Sequence, residues 1–99
     1  MYAVIFEACI KQLDADYAAT AQRMRELAIS QYGCLDFTSV TEGQKEISIS
    51  YWSSLAQIQE WKQDQEHLQA QQQGKARWYE SYKVRVVEIV RDYSSKSST

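Results

Sequence analysis

Residues 2–10, YAVIFEACI, contain no proline, glycine or other turn former, are rich in β-branched and aromatic side chains, and are largely apolar on both faces when read as a strand. Tyr2, Val4, Phe6, Ala8 and Ile10 fall on one side, and Ala3, Ile5, Glu7 and Cys9 on the other. The last periodic segment, residues 82–90 (YKVRVVEIV), sets Tyr82, Val84, Val86 and Val90 against Lys83, Arg85, Val87 and Ile89. A sheet built on such strands has two apolar faces to cover, and helices of the same chain cover one. The other would exceed the few hundred Å² that a soluble monomer tolerates. The pattern therefore predicts a second copy packed sheet against sheet across a two-fold axis.

The segments between these strands read in order. Asp14 is a good N-cap, and Tyr17, Ala21, Met24, Leu27 and Ala28 recur at helical spacing to about Gln31, with Gly33 placed for a left-handed stop. Residues 34–41 (CLDFTSVT) and 46–52 (EISISYW) alternate and are joined through Glu42 and Gly43, which predicts a β-hairpin. In the second of these, Ile47, Ile49 and Tyr51 face one way and Ser48, Ser50 and Trp52 the other. The serines leave room above the sheet, and helix packing or the dimer partner is expected to fill it ahead of a ligand. Ser54 and Gln57 form a capping-box pattern for a short helix with apolar positions Leu55, Ile58 and Trp61. Asp64 caps a further helix to about Tyr79, which carries His67, Ala70, Gln71, Gly74 and Trp78 on one face. The order β-α-β-β-α-β, with the second crossover in two helices, predicts a ferredoxin-like α+β domain over residues 1–93 with one four-stranded antiparallel sheet. Residues 94–99 read as a polar, frayed tail.

Composition removes several classes of function. The net charge of −2 and the scattered lysines and arginines lack the basic stripe that nucleic-acid binding needs. No apolar run reaches the length of a membrane span and no signal peptide is legible, so a cytoplasmic location is expected. Cys9 and Cys34 form neither a CxxC motif nor a disulfide framework. A single histidine without a paired ligand makes no metal set, and the glycines do not cluster into a phosphate loop.

Most of the remaining chemistry lies in residues 51–82, which hold all three tryptophans, the only histidine and three of the seven tyrosines. Helical-period aromatics are the usual packing of a small two-layer fold, and a lone histidine on such a face is more often a hydrogen-bonded core or interface residue than a catalyst. On that reading the protein is a ligand-binding or structural dimer without turnover. The alternative is a pocket wall around one group that titrates near neutral pH.

The element order and the run Trp52, Ser54, Trp61, Glu66, His67, Ala70, Gln71, Gly74, Trp78 and Tyr79 resemble the antibiotic biosynthesis monooxygenase family of dimeric α/β-barrel proteins. The resemblance extends to about Val90. It implies a cofactor-independent oxygenase that takes a phenol or hydroquinone-like aromatic to a quinone with molecular oxygen. Family oxygenases place Trp, Tyr, Asn and Arg around the substrate. Carried onto this chain, His67, Trp61 and Tyr51 become the catalytic candidates, and Trp52, Gln71, Trp78, Tyr79, Tyr82 and Arg85 the substrate-binding ones. The sequence contains no asparagine, so that member of the set has no counterpart. Haem-degrading relatives carry a ligand histidine at a spacing that from Trp61 lands on Gln71, with His67 one turn earlier, so haem is the less favoured reading.

Overall fold

The computed structural model describes residues 1–95, so most of the expected tail, residues 96–99, lies outside the described residues. Strand β1 (Tyr2–Ile10) is followed by helix α1 (Ala15–Tyr32), strands β2 (Asp36–Glu42) and β3 (Lys45–Trp52), helices α2 (Leu55–Lys62) and α3 (Gln65–Gln73), a π-helical turn (Gly74–Trp78) and strand β4 (Tyr79–Glu88). The sheet has four antiparallel strands in the order β2-β3-β1-β4, the ferredoxin-like arrangement that the element order predicts.

Local chemistry sets most boundaries. The Asp14 carboxylate accepts from the backbone N–H groups of Asp16 and Tyr17 at 3.1 and 3.2 Å and starts α1, and Gly33 ends it in the left-handed region at φ 80°. Positive φ at Gly43 (61°), with none at Gln44, turns β2 into β3 in the manner of a type II′ hairpin. Ser54 caps α2 through the Gln57 N–H at 3.3 Å, and Asp64 caps α3 through the His67 N–H at 3.1 Å.

The junction before β4 departs from the sequence expectation. Helical periodicity extrapolates to Tyr79 and places the strand at Tyr82–Val90, whereas α3 ends at Gln73 and the strand occupies Tyr79–Glu88. The cause is the π-helical turn, in which the Tyr79 N–H reaches back to the Gly74 carbonyl and one turn holds an extra residue. The Trp78 carbonyl then accepts from Lys11 N–H (2.8 Å) and Gln12 N–H (3.3 Å), and Tyr79 pairs with Ile10 beside a bulge. Val90 is left exposed beyond the strand.

The helices cover the sheet face that carries Tyr2, Val4 and Trp52, and the core joins Leu27, Ala28 and Cys34 to Trp52, Ile58 and Trp61. Burying one indole is worth about 4–6 kcal/mol of gross transfer free energy, so Trp52 and Trp61 dominate this small core. Leu55, expected to help tie α2 to the sheet, is 49% exposed in the first turn, and Ile58 and Trp61 do that packing alone. Cys34 is a buried thiol whose Sγ donates to the Asp36 carbonyl. The opposite face carries Ile5, Ile47, Ile49, Tyr51 and Val87 together with Glu7, which pairs with Lys45 (3.2 Å) and Arg85 (2.7 Å).

Candidate functional site

A cavity of about 510 Å³ lies between the sheet and the helices. Its floor is Val4 and Phe6 of β1, Ser39 of β2, Ser48 and Ser50 of β3, and Tyr82 and Val84 of β4; its roof is Tyr17 and Met24 of α1, Trp61 of α2, and His67 and Gln71 of α3. The serine face is thus not filled by helix packing, contrary to expectation. The register explains why: Ser39 lies opposite Ser48, their hydroxyls bond at 2.6 Å, and Ser50 accepts from the Trp52 indole N–H at 2.9 Å, so three adjacent positions end short of the helices.

His67 is held from two directions. Its backbone N–H is fixed by Asp64, whose other carboxylate oxygen accepts from the Tyr32 hydroxyl at 2.5 Å, and its ring stacks on Trp61 with centroids 4.2 Å apart and planes 20° apart. Burial pushes its pKa down, partly opposed by the Trp61 carbonyl and the Asp64 charge. The neutral imidazole is therefore favoured at neutral pH, which makes it a proton acceptor. Its Nδ1 is buried and meets no hydrogen-bond partner among the described residues.

A second polar group sits at the Tyr79 side of the cavity. Glu46 is 6% exposed and lines it together with Tyr79 and Tyr17, whose hydroxyls are 3.4 Å apart. Burial pushes the Glu46 carboxyl up, partly offset by the Tyr79 phenol, and burial together with Glu46 raises Tyr79. The Tyr79 ring is wedged among Phe6, Tyr82 and Tyr17 at centroid distances of 5.4, 6.4 and 6.1 Å.

Of the residues proposed from sequence, the fold brings His67, Trp61, Gln71, Trp78, Tyr79 and Tyr82 to the cavity lining. Trp78 is fixed there by its indole N–H, which donates to Asp14 at 3.0 Å, so the cap of α1 also anchors a cavity wall. Tyr51 and Arg85 stand on the opposite sheet face, because their register partners Ala3 and Ile5 alternate away from Val4 and Phe6. Trp52 shares the helix-covered face but lies fully buried beneath Trp61, outside the lining. Sequence reasoning missed Glu46, Tyr17 and Phe6. Glu46 shares strand parity with Ser48, Ser50 and Trp52, and that signal was legible; the approach of Tyr17 on α1 to Tyr79 was not.

Among the described residues no group of three or more His, Cys, Asp or Glu has a metal-binding arrangement, and no helix is long and apolar enough to cross a membrane. No family model matches the sequence. The chain is 40% identical over 99 residues to YqjZ of Bacillus subtilis, an uncharacterized protein, covering 99% of this chain and 87% of YqjZ. In structure it is similar to SnoaB of Streptomyces nogalater, a cofactor-independent oxygenase, with a TM-score of 0.79, 10% identity, and coverage of 95% of this chain and 97% of SnoaB. It is also similar to an antibiotic biosynthesis monooxygenase with a TM-score of 0.75 at 17% identity, covering 92% of this chain and all of that one. Full-length similarity places the chain in one family with YqjZ, and the structural neighbours show that it has the fold of the antibiotic biosynthesis monooxygenases.

Proposed function

We propose that the protein is a cofactor-independent monooxygenase that oxidises a phenol or hydroquinone-like aromatic with molecular oxygen, working as a cytoplasmic homodimer. The observation that carries this reading is the pairing of an apolar, aromatic-walled cavity of about 510 Å³ with one buried, neutral imidazole. The volume lies in the range of pockets that enclose small molecules, and the walls suit a flat ring system. The fold shared with SnoaB adds to it.

In the scheme that fits these groups, His67 accepts the phenolic proton of the substrate. Electron density moves to the ring carbon para to that oxygen, which in this scheme carries a hydrogen, and dioxygen forms a new C–O bond there. The resulting hydroperoxide loses water, one oxygen atom leaving as water and the other remaining as the new carbonyl. The two hydrogens of that water come from the substrate, so no external reductant is required. The cavity's contribution is to hold the ring flat, exclude bulk water and keep the imidazole unprotonated.

The homodimer rests on the outer sheet face, where Ile5, Ile47, Ile49, Tyr51 and Val87 stand together without a covering helix. Sedimentation is expected to find dimer at micromolar concentration, and Ile49→Lys is expected to shift it to monomer.

Oxygen-electrode assays across a panel of anthrones and naphthols test the activity. Uptake that is lost in His67→Ala and retained in Arg85→Ala is expected, since Arg85 faces away from the cavity. Binding of the panel without oxygen uptake would show a ligand-binding protein instead, and a Soret shift on adding hemin would overturn the cofactor-free part of the reading.

A further inference from the structure

One buried ionisable group has no part in the oxidation. Glu46 projects from β3 into the cavity while the preceding residue, Lys45, turns to the opposite face and pairs with Glu7. Its register neighbours are Thr41 on β2 and Ala8 on β1, and Tyr79 at the start of β4 lies beside the carboxyl. Lys62, which follows Trp61 on α2, also lines the cavity but makes no ion pair with Glu46. Among the described residues no cation lies within ion-pair distance of this carboxyl. A carboxylate buried without a counter-ion is disfavoured, so burial pushes Glu46 toward the neutral acid, which has one O–H to donate. Beside it the hydroxyls of Tyr79 and Tyr17 are 3.4 Å apart, at the outer limit of a hydrogen bond. The carboxyl of Glu46 and these two phenols thus meet at one end of an otherwise largely apolar chamber.

We infer that Glu46, Tyr79 and Tyr17 form a donor end wall that fixes a carbonyl or phenolic oxygen of an uncharged aromatic ligand. This rests on the reading of the cavity as an aromatic-ligand site. The wall makes the ligand class narrower in two ways. A ligand carboxylate would bring a second acid to an end wall without a cation, and is refused. A cationic ring system would need Glu46 ionised, against its burial.

Isothermal titration calorimetry with three tricyclic probes distinguishes these cases: emodin (uncharged, oxygenated), rhein (the related carboxylate) and proflavine (a cation). Wild type is expected to bind emodin at least about tenfold more tightly than either of the others. Glu46→Gln, which keeps a donor of the same shape, is expected to stay within about threefold for emodin, whereas Glu46→Ala and Tyr79→Phe each weaken it about tenfold. Circular dichroism melts report whether each variant folds, and Tyr79→Phe carries the test if Glu46→Ala does not. Emodin binding unchanged in Glu46→Ala or in Tyr79→Phe overturns the donor wall while leaving the aromatic site standing. Loss of emodin in Glu46→Gln, or proflavine binding more tightly than emodin, overturns the neutral acid. Failure of wild type to bind any of the three overturns the aromatic site itself, and the donor wall with it.

Discussion

Replacing Gly74 by alanine sets two effects of opposite sign against each other. Gly74 has ordinary helical dihedrals (φ −58°, ψ −48°), so alanine enters the backbone without strain, and helix propensity alone favours it by about 1 kcal/mol. The new Cβ, however, meets ring carbons Cε2 and Cδ2 of Tyr79 at 2.7 and 2.8 Å, inside any tolerable contact. That ring has little room to swing, being hemmed by Phe6, Tyr82 and Tyr17. Overpacking of this kind costs about 1–3 kcal/mol, which leaves a net loss of up to about 2 kcal/mol. In a Tyr79→Ala background the ring is gone, and the same Gly74→Ala change is expected to stabilise by about 1 kcal/mol. Urea denaturation of the four proteins in this double-mutant cycle measures the coupling, expected at about 1–3 kcal/mol. Equal stabilisation by Gly74→Ala in both backgrounds would refute the reasoning, because the ring would then not be resting on the glycine.

The buried and capping groups give further expected outcomes. Burial depresses His67 below its ordinary value of 6.5, so the unfolded chain takes up a proton first as pH falls; the stability is fully present above pH 6.5 and is lost as pH drops through the lowered folded value. Glu46, raised above 4.5, acts in the opposite sense, losing stability as pH rises. The measurement is therefore the difference between wild type and His67→Gln in urea midpoints across this range. It is expected to shrink toward acid with a slope of at most about 1.4 kcal/mol per pH unit, and a flat difference would count against a buried neutral imidazole. Asp14 holds the α1 cap, the Trp78 indole and Arg77 together, so Asp14→Ala is expected to lower the urea midpoint and weaken the near-UV tryptophan signal. Asp14→Asn keeps an oxygen for cap and indole and is expected to fall between the two; equal damage would place the effect in the Arg77 ion pair alone.

The elements and their faces were legible in the residue pattern. Period-two alternation in residues 2–10 and 46–52 set which side chains share a side, and Asp14, Gly33, Gly43, Ser54 and Asp64 marked starts and stops, because caps and turns are local chemistry within a few residues. Six of the nine proposed site residues reach the cavity: helix and strand parity carry Trp61, His67, Gln71 and Tyr82 there, whereas Trp78 and Tyr79 arrive through the π-helical turn. Tyr51 and Arg85 match the family's substrate-contacting set by residue type alone, and strand parity places both on the other face.

Three matters needed the packed molecule. The first is the π-helical turn, which ends the 3.6-residue period at Gly74 and brings Tyr79 onto β4; backbone bonds from Trp78 to Lys11 and Gln12, remote in sequence, stabilise it. The second is the cavity, where three short serines from two strands lie side by side beneath Trp61 and Met24 of the covering helices. The third is the meeting of Glu46 with Tyr17 and Tyr79. Those residues come from three elements, and their ionisation depends on burial, a property of the folded chain that no local sequence pattern carries.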